Sequence, residues 1–76
     1  MPMEVLLEPR NILEEIIEKE VRSRTSGRVR ELQVRVQQGQ VVITGRTSTY
    51  YAKQLVTHAA LENADDLYVM NEVEVC

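Results

Sequence analysis

The sequence predicts an α+β fold: a two-layer α-β-β-α-β sandwich, with a mixed three-stranded sheet and two helices on one face. Residues 31–47, ELQVRVQQGQVVITGRT, alternate apolar and polar side chains on both sides of a Gln-Gly pair, as the two strands of a hairpin do. Residues 12–24 and 49–63 repeat apolar positions at three- and four-residue spacing, the period of a helix with one buried side. Residues 67–75 return to strict alternation.

The hairpin fixes its own register. A two-residue loop at Gln38-Gly39 sets Val36 opposite Val41, Val34 opposite Ile43 and Leu32 opposite Gly45. A three-residue loop would pair Val34 with Val42 and turn Ile43 outward, so an even loop is favoured. Gly39 can take the positive φ that a tight turn requires.

Before the hairpin, Asn11 followed by Glu14 reads as an N-cap with a reciprocal partner three residues on. Ile12, Leu13, Ile16, Ile17 and Val21 then share one helical face. Acids lie in the first turns and bases in the last, complementing the helix dipole, and Gly27 is a stop signal. After the hairpin, Ser48 offers a second N-cap. The helix that follows turns Ala52, Leu55, Val56, Ala59, Ala60 and Asn63 inward. Its small residues suit close approach to the sheet, and Gly45 on the inward face of the second strand fits the same need. Asn63-Ala64-Asp65-Asp66 reads as a turn, and Leu67, Val69, Asn71, Val73 and Val75 as the inward side of a third strand. A right-handed crossover through the second helix makes strands two and three parallel, with strand two central. The alternative, strand one central, would be fully antiparallel.

Length and composition bound what such a fold can do. A chain of 76 residues and 8.7 kDa is one domain, taken as 11–76 after an N-terminal extension over 1–10. A domain of this size buries only roughly 60% of its unfolded surface. Phe and Trp are absent, so the core is aliphatic and leaves little room for a deep pocket. No apolar run approaches the ~20 residues that span a bilayer. MPMEVLLEPR has no basic region of a signal peptide, so the expected location is cytoplasmic. Val5-Leu6-Leu7 could pack on the domain or pair with a sheet edge. Cys76, the single cysteine, has no partner for an internal disulfide.

The net charge of −3 is unevenly spread. Between 19 and 53 the chain holds Lys19, Arg22, Arg24, Arg28, Arg30, Arg35, Arg46 and Lys53 against Glu20 and Glu31, while the flanks carry the other acids. Such a middle could face an anionic partner, or its charges could pair with the acids across a compact surface.

The order of these features resembles a known family. Val34, Val36, Gly39, Val41, Ile43 and Gly45, the segment GQVVITGRTSTYYAKQLVTHAA, and a final VMNEVEV with Asn71, Val73 and Val75 are similar to the BON (bacterial OsmY and nodulation) domain. The likeness covers roughly 12–75. It implies the same α-β-β-α-β fold and a binding module, in a family often linked to phospholipid membranes or envelope proteins.

Catalytic and metal chemistry find little footing. His58, the one histidine, lies on the outward side of the second helix with no Cys or second His at ligand spacing. Asp65-Asp66 suit loop solvation, and Glu14-Glu15 suit a helix start. No serine sits in a nucleophile elbow and no Gly-rich loop precedes a helix. The expectation is a non-enzymatic module with no cofactor, no metal and no small-molecule substrate.

Two binding surfaces remain. Alternation displays Gln33, Arg35, Gln37, Val42, Thr44, Arg46, Tyr68, Met70, Glu72 and Glu74 on the outer sheet face. Arg35, Val42, Thr44, Arg46, Tyr68 and Met70 are its candidate contacts for a protein partner or a second copy. An ordinary wet sheet face is the other reading. Arg22, Arg24, Arg28 and Arg30 are candidate anion contacts, making phospholipid binding through 22–35 the alternative. Tyr51 is expected to pack over the helix and sheet rim, with Tyr50 half exposed. Nucleic acid is disfavoured, because the chain is acidic and lacks a GxxG clamp or a stacking aromatic pair.

Overall fold

The computed structural model describes residues 11–76; the extension over 1–10, with Val5, Leu6 and Leu7, lies outside them. The elements are α1 (Ile12–Thr25), β1 (Arg30–Gln37), β2 (Gln40–Thr47), α2 (Tyr50–Asn63) and β3 (Tyr68–Val75). The sheet runs β1-β2-β3, with β1 and β2 antiparallel and β2 and β3 parallel. This is the α+β, mixed-sheet arrangement expected, with β2 central; the fully antiparallel order is not adopted.

The hairpin closes on Gln38 and Gly39, both at positive φ (48° and 78°), the backbone that a type I′ two-residue turn demands. Val36 pairs with Val41 and Val34 with Ile43, as the even loop requires. Leu32 and Gly45 do not pair alone. Between Arg30↔Arg46 and Gln33↔Thr44, two residues, Glu31 and Leu32, face the single Gly45, with Glu31 at φ 57°. This bulge keeps Leu32 against the core and reverses the parity of the strand beyond it, so Arg30 joins Arg46 on the outer side.

In α1, the Asn11 side chain accepts from Leu13 N–H at 2.8 Å, but Glu14 does not reach back to complete a reciprocal cap. Its carboxylate instead accepts the N–H of Val36, 22 residues away, at 2.8 Å. The helix ends with Ser26 and Gly27 in the left-handed region and Gly27 N–H on the Arg22 carbonyl at 3.0 Å. Only part of the expected apolar stripe is covered. Ile17 and Val21 are fully buried and Leu13 packs at the core's edge, while Ile12 and Ile16 are 73% and 45% exposed. Five apolar positions span a wider arc than α2 and the sheet can cover together.

Thr49, not Ser48, caps α2: its Oγ1 accepts from Ala52 N–H at 3.1 Å. Ala52, Val56, Ala59 and Ala60 are buried, and Ala59, Ala60 and Val56 meet Ile17 and Val21 of α1 and Val34, Val41, Ile43 and Val73 of the sheet in one core. Both helices therefore cover the same face. Gly45 does not serve the helix as expected. A Cβ there would lie 2.7 Å from Cγ1 of Val29, so the glycine makes room for the loop before β1. Asn71, on the inward side of β3, donates to the Lys53 carbonyl (2.8 Å) and Thr57 Oγ1 (2.7 Å) and accepts from Val73 N–H (3.1 Å), tying β3 to α2. Among the described residues, no helix is long and apolar enough to cross a membrane.

Candidate interaction face

Among the described residues, none covers the face of the sheet away from the helices, and strand pairing orders its side chains in rows. Arg35, Val42 and Met70 form one row; Gln33, Thr44 and Glu72 the next; Arg30, Arg46 and Glu74 the last. At the hairpin end, Gln37 and Gln40 adjoin Tyr68. Tyr68 is 76% and Met70 40% exposed, beside half-buried Val42, so an apolar strip crosses the face towards β3. The structure thus brings together all six residues of the expected face: Arg35, Val42, Thr44, Arg46, Tyr68 and Met70.

The charges on this face are sorted by strand. β1 contributes Arg30 and Arg35, β3 contributes Glu72 and Glu74, and neutral Val42 and Thr44 lie between them. Arg46 Nε lies 3.5 Å from Glu31 Oε1, which the bulge carries to the same end of the face. Arg30, Arg35, Glu72 and Glu74 form no ion pair with any described residue, so their charges face solvent. Glu72 and Glu74 lie on this face, where the alternation put them, although they were not among the six candidate contacts. The signal was their alternation with Val73, and the parallel register supplies their position opposite β1.

The expected anion cluster is not assembled. Arg22 pairs with Glu18 at 2.7 Å, and Arg24 pairs with Glu20 at 3.3 Å. Arg24 also forks onto Glu62 of α2, with Nη1 3.2 Å from Oε2 and Nη2 against Oε1. The hydrogen bond from Arg24 holds the Glu62 carboxyl below the ordinary glutamate range, and the same bond raises the Arg24 guanidinium further. Two of the four arginines therefore spend their charge within the helical layer. Arg28 and Arg30 alone of the four have no acidic partner among the described residues.

Tyr51 does not cover the rim. It is 67% exposed, and Tyr50 beside it is also exposed, because the inward arc of α2 begins at Ala52. His58 is exposed, as are Asp65 and Asp66 in the turn before β3. Among the described residues, no group of three or more His, Cys, Asp or Glu side chains is placed to hold a metal ion. A second surface, not anticipated, is an open groove beside α1 and β1, lined by Glu14 and Glu18 of the helix and by residues 32–37 of the strand. Compared with known proteins, the chain matches no family model, no curated protein and no solved structure.

Proposed function

We propose that this domain is a non-enzymatic binding module that engages a protein, a second copy included, through the open face of its sheet. The observation that carries the reading is the row of Arg35, Val42 and Met70 with Tyr68 beside it, an apolar strip that runs from the central strand to the β3 edge with Arg35 at the β1 end and no described residue over it. The shallow, open grooves of the surface suit a partner's face better than a small substrate, which favours a deeper and more enclosed site. The resemblance of the hairpin and last strand to the BON domain supports a binding role in the same direction.

Anionic phospholipid is the alternative, resting on that resemblance and on Arg28, Arg30 and Arg35. The commitment of Arg22 and Arg24 to acidic partners weighs against it. Amide chemical shifts followed from dilute to millimolar protein test the self-associating form. Shifts confined to the strands are expected; shifts confined to α1 and α2 would overturn the choice of face. Pelleting with phosphatidylglycerol vesicles at low salt, abolished by Arg28→Glu with Arg30→Glu, would instead favour lipid.

A further inference from the structure

We propose that the partner is a second copy of this chain, docked sheet face to sheet face about a two-fold axis parallel to β2. This rests on the reading of the open face as the binding surface, and it names the occupant and the geometry. Two in-plane axes relate two such faces while keeping the strands of the copies aligned. An axis perpendicular to the strands stacks β1 on the partner's β1 in the reverse direction and brings Arg30 of one copy towards Arg35 of the other. An axis along β2 exchanges the two margins, so that basic β1 lies over acidic β3 of the other copy. Only the second is complementary.

The rows make the pairing specific. Arg30 and Glu74 share a row through Arg46, so the two-fold sets Arg30 of one copy against Glu74 of the other. Arg35 shares a row with Met70, and Glu72 lies two residues further along β3, within reach of an arginine side chain. Val42 of the two copies approaches near the axis, with Met70 beside it. Arg46 also approaches its own copy, but each is held by its Glu31.

Three strands about 4.8 Å apart, rising ~3.3 Å per residue, give the face a footprint of roughly 350 Å². That is less than half of the ~800 Å² that each partner commits in a stable complex. The dimer is therefore expected at the weak, transient end of interfaces, sensitive to salt and populated at the highest attainable protein concentration.

Charge reversal with recombination tests this pairing by sedimentation at low salt, with circular dichroism verifying that each variant folds. Arg35→Glu and Glu72→Arg sit opposite the neutral Val42 and Thr44 within the sheet, so neither breaks an internal ion pair. Each variant alone sets like charges together twice across the two-fold and should dimerise about tenfold more weakly than the parent. An equimolar mixture restores both contacts and should recover the parent's association, as should the double variant. Unchanged dimerisation of the single variants, or a mixture no better than its parts, would overturn this geometry and leave self-association standing. A parent that stays monomeric at millimolar concentration would overturn both.

Discussion

The carboxylate of Glu14, in the first turn of α1, accepts a hydrogen bond from the backbone N–H of Val36 on β1 at 2.8 Å. Gln37↔Gln40 closes the two-residue loop, so Val36↔Val41 is a pair that exchanges no ladder bonds, and the Val36 N–H points away from β2. Glu14 thus supplies the acceptor that a further strand would provide, and it blunts an edge that could otherwise recruit one.

Removing that acceptor should cost stability and open the edge. Glu14→Ala is expected to destabilise the domain by about 1–2 kcal/mol, since the orphaned N–H is only partly buried and water can replace the carboxylate in part. Glu14→Gln keeps an acceptor and should lose less. Hydrogen exchange at the Val36 amide reads the bond directly, and protection should fall in the Ala variant before global stability does. An unchanged exchange rate would show that the bond is not populated in solution.

Asn71 offers a test of the inward side of β3. Its amide donates to Lys53 O and Thr57 Oγ1, and its oxygen accepts from Val73 N–H, so every polar group is used. Asn71→Ala should cost about 1–3 kcal/mol in urea denaturation, because Val73 N–H and the Thr57 hydroxyl each lose a partner. Asn71→Asp should fall further at neutral pH, pointing a carboxylate at the Lys53 carbonyl. Equal stability of the Asp variant and the parent would show that the amide does not act as a donor.

The features legible in the sequence are those set by parity and period. A two-residue loop allows one register, so Val36↔Val41 and Val34↔Ile43 followed from the Gln38-Gly39 spacing, and the open face with Arg35, Val42 and Met70 followed from them. Long-range partners were not legible. Glu14 has the spacing of a local cap yet bonds 22 residues away, because a strand edge lies beside it. The stripe from Ile12 to Val21 shows which residues share a side of α1, but its covered width depends on where α2 and β1 flank it. The bulge hides because Leu32 remains inward while Glu31 absorbs the extra residue at a positive φ that glutamate does not announce. Likewise, Glu18–Arg22 and Glu20–Arg24 lie at i,i+4 spacing that the sequence displays, whereas the Arg24–Glu62 contact waits on the packing of α1 against α2.

The Arg24–Glu62 bridge between the helices predicts a small acid-sensitive contribution. The folded state holds Glu62 below its ordinary pKa, so the stabilisation is present above the unfolded-state value and is lost as pH falls through the folded one. The pair is exposed to solvent, which keeps its worth low. Glu62→Gln should lower the melting temperature slightly at neutral pH and low salt. The gap should narrow with added salt and vanish in acid, below the usual carboxylate range. A gap that persists in acid would assign the effect to packing.

Gly45 and Val29 should be energetically coupled. A Cβ on Gly45 would stand 2.7 Å from Val29 Cγ1 and 3.0 Å from the Arg30 carbonyl oxygen, so Gly45→Ala forces the loop off the sheet. Overpacking of this kind costs about 1–3 kcal/mol. Val29→Ala removes the nearer atom but leaves a cavity in a buried position, so it also destabilises. In the double variant the new methyl occupies part of that cavity, and the summed loss should fall short of additivity by at least about 0.5 kcal/mol. Rescue stays partial because the Arg30 carbonyl, being backbone, cannot be trimmed. Strict additivity in urea denaturation would mean that Gly45 is required for some reason other than the approach of Val29.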